Sequence, residues 1–457
     1  MNTEDPYIPP VVRRRQRLAI LGRLKNSTII GAVIMLGAAI LAFTLANTPL
    51  HSHIGSFWQT EILLSIGNLS IQTTLIHLVN DLLMTTFFIL IGLEIKFELT
   101  VGEFRDLRTA ALPVLAAVGG CLFPIIIYLA FNWGTESVRG WGIPMATDIA
   151  FTLAVLTVLG SRIPPSLKIF LSTLAIADDI FAILVIAIFY GNSLDLIWIG
   201  IAALIFGVLI LMNRRHVYAL GAYLFVGILL WIAFYLANIH PTLAGILLAL
   251  AIPSSSKVDP NAFLSWGNER LQEMSASFKP GEPLLAQTSY TRNTIRLHNI
   301  ARSASPPMVT LMELISPVAV FIALPIFAFA NAGVSLAQES LAGVVCSQVT
   351  LGVFLGLLIG KPLGIFLFSW LSVKLKIAKL ASGIRWDHIL GSGILGGIGF
   401  TMAIFIANLS FADPKYLTFA KLGILSASLG ASIIGALFLV LWHRARARQK
   451  TKSTESL

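Results

Sequence analysis

Two adjacent carboxylates, Asp178 and Asp179, stand near the middle of an apolar stretch, Ser166 to Tyr190, that is long enough to span a bilayer. A single aspartate at the centre of a membrane helix costs roughly 2.5–3.5 kcal/mol on insertion scales, so a pair is retained for a reason. Neighbouring helical positions point about 100° apart, and the two side chains cannot both hide against one neighbour. At least one must meet a polar cavity or a partner charge, which marks the pair as a candidate ion pathway.

Other ionisable residues share that environment. Lys361, in "LLIGKPLGIF" (357–366), follows a run of apolar residues and glycine from 351 to 360. A buried ammonium is costly and calls for a nearby carboxylate, although spacing does not say which one. Asp148 lies in "GIPMATDIAF" (142–151), where Pro144 removes a helical donor and Thr147 and Asp148 offer competing side-chain hydrogen bonds. That segment predicts a broken helix near Thr147; the plainer alternative is a kink at Pro144 with Asp148 as a cap. Late in the chain, "GSGILGGIGFTMAIF" (391–405) places Gly396, Gly397 and Gly399 together. By itself this run fits tight helix packing as well as a break. Asp81 either lines a funnel or caps the start of its span. Glu94 and Glu98, with Lys96 between them, form either a solvated helix end or a funnel for cations and protons.

The elements that carry these groups must cross a membrane. The chain of 457 residues is 56% hydrophobic and only 12% charged, too few charges for the surface of a soluble protein of this length. The net charge of +10 could suit nucleic acid, but the basic residues sit in short clusters between apolar runs, as in cytoplasmic loops. The fold class expected is all-α and polytopic, with twelve spans near 28–48, 75–97, 108–131, 141–160, 166–190, 194–212, 217–237, 240–253, 309–333, 348–373, 388–410 and 416–442. The segment 51–74 is polar and mixed and reads as an external loop or short hairpin. With the N-terminus inside, all but four of the 32 Lys and Arg residues fall on the internal side; the exceptions are Arg139, Lys415, Lys421 and the embedded Lys361. Both termini are therefore expected in the cytoplasm.

The organisation that follows is a cytoplasmic segment 1–27, spans one to eight in 28–253, a long cytoplasmic linker 254–308, spans nine to twelve in 309–442, and a basic tail 443–457. Rich in Pro, Ser, Gln and mixed charge, the linker is expected to be poorly ordered. Cys121 and Cys346 have no spacing for a disulfide or metal site and read as core or lipid-facing thiols. Spans three to five and ten to twelve each hold an interrupted helix in their middle and run in opposite senses. Paired interruptions in two inverted repeats point to a midplane site in a secondary transporter.

On these motifs the chain resembles the NhaA-type sodium/proton antiporters, a family that is itself a standing example of inverted-repeat architecture. The resemblance rests on "NDLLM" with "GLEIK", "GWGIPMATDIAF", "SLKIFLSTLAIADDI", "LPIFAFANAGVSL", "LIGKPLGI" and "GGIGFTMAIFIA". It implies Asp179 as a principal sodium ligand and proton acceptor with Asp178 beside it, and Lys361 paired to Asp178 when sodium is absent. It also implies Thr147 and Asp148 at the crossing of the interrupted helices, with Asp148 offsetting positive helix ends. Asp81 and Glu94, and less directly Glu98, belong by resemblance to the charged approach and pH-responsive region. Two departures stand out: 254–308 is longer than the family's usual connection, and Phe97 stands where a basic residue is often found.

The function expected is electrogenic export of sodium, or lithium, in exchange for external protons, serving sodium and pH homeostasis in a bacterial inner membrane. The resemblance adds a homodimer with 51–74 as the candidate contact. No cofactor is expected, and there is no Gly-x-x-x-x-Gly-Lys-Ser/Thr phosphate loop. Two alternatives use the same features: a sodium-coupled solute symporter on the same fold, and an intramembrane aspartyl protease. The protease is disfavoured because Asp178 and Asp179 are adjacent and neither lies in a Gly-x-Gly-Asp context.

Overall fold

The structure, a computed structural model, describes residues 28–66, 69–105, 107–160, 163–191, 195–335, 341–380 and 383–454. In chain order the helices are α1 (Thr28–Ala46), α2 (His51–Trp58), α3 (Leu75–Thr100), α4 (Leu107–Asn132), α5 (Ile149–Leu159), α6 (Pro165–Phe189), α7 (Leu196–Arg214), α8 (Leu220–Leu236), α9 (Thr242–Ala251) and α10 (Pro260–Ser277). They continue as α11 (Thr288–Ala304), α12 (Pro307–Val318), α13 (Leu324–Asn331), α14 (Leu341–Val345), α15 (Gln348–Leu355), α16 (Lys361–Lys374), α17 (Trp386–Gly396), α18 (Phe400–Ser410) and α19 (Pro414–Thr454). The polar stretch after α2 forms an antiparallel hairpin of β1 (Glu61–Ile66) and β2 (Leu69–Thr74), as the mixed composition of 51–74 allowed.

Among the described residues nine helical stretches are long and apolar enough to cross a membrane, three of them (Glu136–Leu159, Pro307–Asn331 and Gln348–Lys374) made of adjoining segments, and ten if the bent pair α17 and α18 is one span. α8 and α9 are apolar but shorter. The fold is that of a helical, multi-pass membrane protein with this one short hairpin among the described residues.

The chain divides into two compact units. The first comprises the segments up to Phe87, Glu94–Asn192 and Pro317 onward. Helix association in a bilayer depends on close packing rather than water exclusion, and this unit shows it where α4 crosses α16. A Cβ on Gly119 would collide with the Gly364 carbonyl, and one on Gly364 with the Gly119 carbonyl. Only glycine lets the two backbones approach this closely. A shared core of Leu112, Ala116, Leu171, Leu174, Ile365 and Leu395 then ties α4, α6, α16 and α17 together.

Two helices of this region widen locally to π geometry, at Ala319–Ala323 and Gly356–Gly360. Each lies just before a proline, Pro325 and Pro362, which cannot donate to the carbonyl four residues back.

The second unit comprises Phe88–Leu93 and Ser193–Ser316. Here the expectation for 254–308 is corrected: instead of a poorly ordered linker, it holds α10 and α11, packed on each other. Asp259 caps α10 by accepting from the amides of Asn261 and Ala262, both at 2.9 Å. Gln287 braces the turn by donating to the carbonyls of Lys279 and Glu282, each at 2.9 Å. The signal was an inner stripe of mostly half-buried residues, Phe263, Trp266, Arg270 and Met274 facing Asn293, Leu297 and Ile300. Its helical period is diluted by polar residues, so composition alone hid it.

Candidate ion-binding site

Between α4 and α5 the chain forms a 3₁₀ segment, Glu136–Met145, that contains Pro144. Ala146 and Asp148 are extended, and α5 begins at Ile149. The counterpart is the glycine-rich break: α17 ends at Gly396, α18 starts at Phe400, and the pair is bent by 47°. Gly397 is required there, because a Cβ would strike the Leu357 carbonyl. At both places the break falls where the sequence placed it.

The two breaks are joined to each other. The Asp148 amide donates to the Ile398 carbonyl at 2.7 Å, and Thr152 Oγ1 donates to the Leu395 carbonyl at 3.3 Å. Asp148 then serves two helix starts at once. Its Oδ1 accepts from the Phe151 amide (3.0 Å) in α5, and its Oδ2 accepts from the Thr401 amide (3.1 Å) and hydroxyl in α18. Helix N-termini carry unsatisfied amides and partial positive charge, so one buried carboxylate satisfies two such ends.

α6, opened by Pro165 at a position where the missing amide costs nothing, carries the aspartate pair, and Thr147 of the first break reaches Asp178. Asp178 is fully buried and surrounded by donors. Lys361, also fully buried, donates from Nζ to Asp178 Oδ2 and to the Met145 carbonyl. Cys121 Sγ donates to Asp178 Oδ1 at 3.3 Å. Thr147 Oγ1 lies 2.6 Å from Asp178 Oδ2 and 2.9 Å from the Gly396 carbonyl. A hydroxyl has one proton, so it can serve only one of these two acceptors at a time.

Asp179 is 2% exposed, and both of its carboxylate oxygens are buried without a hydrogen-bond partner among the described residues. Buried carboxylates are normally satisfied, so a bare one is an acceptor prepared for something else. The charges that bear on it are Asp178, Glu94 and Asp148 on the negative side and Lys361 on the positive. Hard cations prefer oxygen donors of this kind. No group of three or more His, Cys, Asp or Glu side chains with metal-site geometry occurs among the described residues.

Asp178, Asp179, Lys361, Thr147, Asp148 and the glycines 396, 397 and 399 are thus brought together. Glu94, half-buried on α3, acts on the cluster electrostatically. Asp81 is half-buried and in no ion pair among the described residues; its backbone carbonyl accepts from Thr85 at 2.6 Å. Glu98 accepts from the Glu103 amide at 2.8 Å, closing the turn after α3. Neither joins the cluster. Sequence reasoning missed Thr401, although it sits two residues after Gly399, and missed the contact of Cys121 with Asp178, which no spacing announced.

Two interrupted helices crossing over a buried, ion-paired aspartate and a bare one define a multi-pass secondary transporter rather than an enzyme. The family model described as Na+/H+ antiporter 1 matches residues 23–439, and the chain belongs to that family. It is 46% identical over 413 residues to the Na(+)/H(+) antiporter NhaA of Acidithiobacillus ferrooxidans, covering 90% of this chain and 94% of that one. It is 39% identical over 435 residues to the Na(+)/H(+) antiporter NhaA of Wolinella succinogenes, covering 95% of each. Against the Na(+)/H(+) antiporter NhaA of Escherichia coli O1:K1 the identity is 41% over 432 residues, covering 94% of this chain and 98% of the relative.

Proposed function

We propose that this chain exchanges sodium, and lithium, for protons across a bacterial inner membrane, moving the metal ion out and more than one proton in per cycle. The observation that carries this reading is the unequal treatment of two adjacent carboxylates. Asp178 is neutralised by Lys361, whereas Asp179 presents two bare oxygens at the crossing of the broken helices. A cation arriving at Asp179 competes with protons for the same negative charge. Drawing Asp178 into its coordination frees Lys361 from its partner. Competition couples the two fluxes, and alternating access of the crossing gives them opposite directions.

In this reading the chain crosses the bilayer twelve times with both termini in the cytoplasm, since the basic residues fall on one side. The hairpin of β1 and β2 is the contact of a homodimer. Glu94 draws cations toward the site. A symporter or a protease has no support in the family to which the chain belongs. The test is reconstitution of the full chain into liposomes with an internal pH dye. Dequenching on addition of sodium or lithium, and not potassium, is the expected result; equal responses to all three ions, or none, would overturn the proposal.

A further inference from the structure

We propose that the first unit carries a specific site for an aminophospholipid, separate from the ion path, in a cavity at the membrane-surface ends of α4, α6 and α16. The cavity encloses about 650 Å³, a size suited to a headgroup with the first part of an acyl chain. Its lining mixes apolar and charged side chains. Ile169 and Phe170 of α6 form part of an apolar wall, and Thr173 of the same helix also lines the cavity. Lys376 and Lys379, on the loop after α16, and Glu103, on the turn before α4, also line the space.

The lysines are open to an outside partner. Both are exposed, and neither forms an ion pair among the described residues. Lys376 has φ of 60°, a left-handed conformation that a lysine adopts only when the surrounding turn imposes it. That turn is built by the Ser372 carbonyl, which accepts from the amides of Ile377 and Ala378 at 3.0 and 3.2 Å. Apolar side chains are left uncovered at the same place: Ile169 is 51% and Ile377 57% exposed. Basic residues over an apolar recess at a membrane surface are the recognised form of a phospholipid headgroup site.

The Glu103 carboxylate in the same lining selects among headgroups. A purely anionic lipid leaves Glu103 facing like charge. A headgroup with both a phosphodiester and a primary ammonium satisfies both kinds of charge, the phosphate at Lys376 and Lys379 and the ammonium at Glu103. The phosphatidylethanolamine class has this chemistry. Thr173 is five residues before Asp178 on α6, so an acyl chain in the cavity braces the helix that carries the aspartate pair without touching the ions.

The test uses the full chain in detergent, delipidated and then titrated with phosphatidylethanolamine, phosphatidylglycerol or inorganic phosphate. Bound lipid is counted by native mass spectrometry and thermal unfolding is followed in parallel. Phosphatidylethanolamine should bind and raise Tm, and inorganic phosphate should do neither. Lys376→Asn with Lys379→Gln should weaken binding by about tenfold, the scale of a lost charge-assisted contact; asparagine tolerates the left-handed backbone, so folding is kept. Glu103→Gln should remove the preference over phosphatidylglycerol. Unchanged binding in the lysine variant, or equal binding of the two lipids to the unaltered chain, overturns the proposal. Sodium–proton exchange measured on the same variants keeps this outcome distinct from any failure of the transport reading.

Discussion

Asp178 and Asp179 share a peptide bond yet meet opposite surroundings: Asp178 accepts from Lys361, Cys121 and Thr147, while Asp179 accepts from nothing among the described residues. The helical turn between adjacent positions sends one carboxylate toward α4 and α16 and leaves the other bare. A site that must bind a cation and then release it benefits from this division, because one carboxylate is already balanced and only the other is in want of charge.

Asp179→Asn is therefore expected to reduce sodium-dependent proton flux in liposomes to background. The amide keeps the shape but neither carries the charge nor exchanges a proton near neutral pH. Asp178→Asn should impair flux severely and less completely. Wild-type flux in the Asp179 variant would remove the central assignment.

Lys361 separates charge balance from packing. Lys361→Ala leaves a buried carboxylate without its ion partner, a change that costs roughly 3–5 kcal/mol in buried pairs. A clear drop in Tm together with loss of exchange is expected. Lys361→Arg should keep more of both, since it restores the positive charge next to Asp178. Equal Tm for the Ala variant and the unaltered chain would show that the pair contributes nothing to stability.

Asp148→Ala should act mainly on folding, because it strips the caps from α5 and α18 together. Each lost cap is worth about 1 kcal/mol, and removing the negative charge from two helix starts adds to that. Thr401→Val removes only the hydroxyl contact and should be milder. The check is thermal unfolding of both variants side by side; the opposite order would mean that Asp148 is not the shared cap.

Lowering the pH should raise the sodium concentration needed for half-maximal exchange, because protons and sodium compete for the same carboxylates. With more than one proton per sodium, an imposed potential contributes about 2.3 kcal/mol per net charge for each 100 mV. Flux should then follow the sign of the potential. Potential-independent flux, with leak controlled, would indicate one-for-one exchange.

Orientation can be tested on the helical pair α10 and α11. In a Cys346→Ser background, needed because Cys346 is exposed, an engineered cysteine at the exposed Ser275 should resist a membrane-impermeant thiol reagent added outside. Labelling from outside would reverse the topology.

The linear order of residues settled the membrane class, the apolar helices and the positions of both breaks. Each depends on local chemistry: apolar runs long enough for a bilayer, Pro144 with its missing donor, and glycines 396, 397 and 399 without side chains. Charged residues in such runs announced themselves as well, since a membrane gives Asp148, Asp178, Asp179 and Lys361 no water to hide in. What tertiary structure alone decided was partnership. Lys361 finds Asp178 because Gly119 and Gly364 let α16 close on α4 while α4 also packs on α6, a meeting of residues far apart in the chain that no periodicity encodes. The double cap at Asp148, the thiol of Cys121 against Asp178 and the bare state of Asp179 arise in the same way, from which helices touch. The pairing of α10 with α11 stayed hidden for a different reason: its inner stripe is narrow and the exposed faces around it are polar enough for the whole segment to read as linker, and only packing of one helix on the other reveals which side is inside.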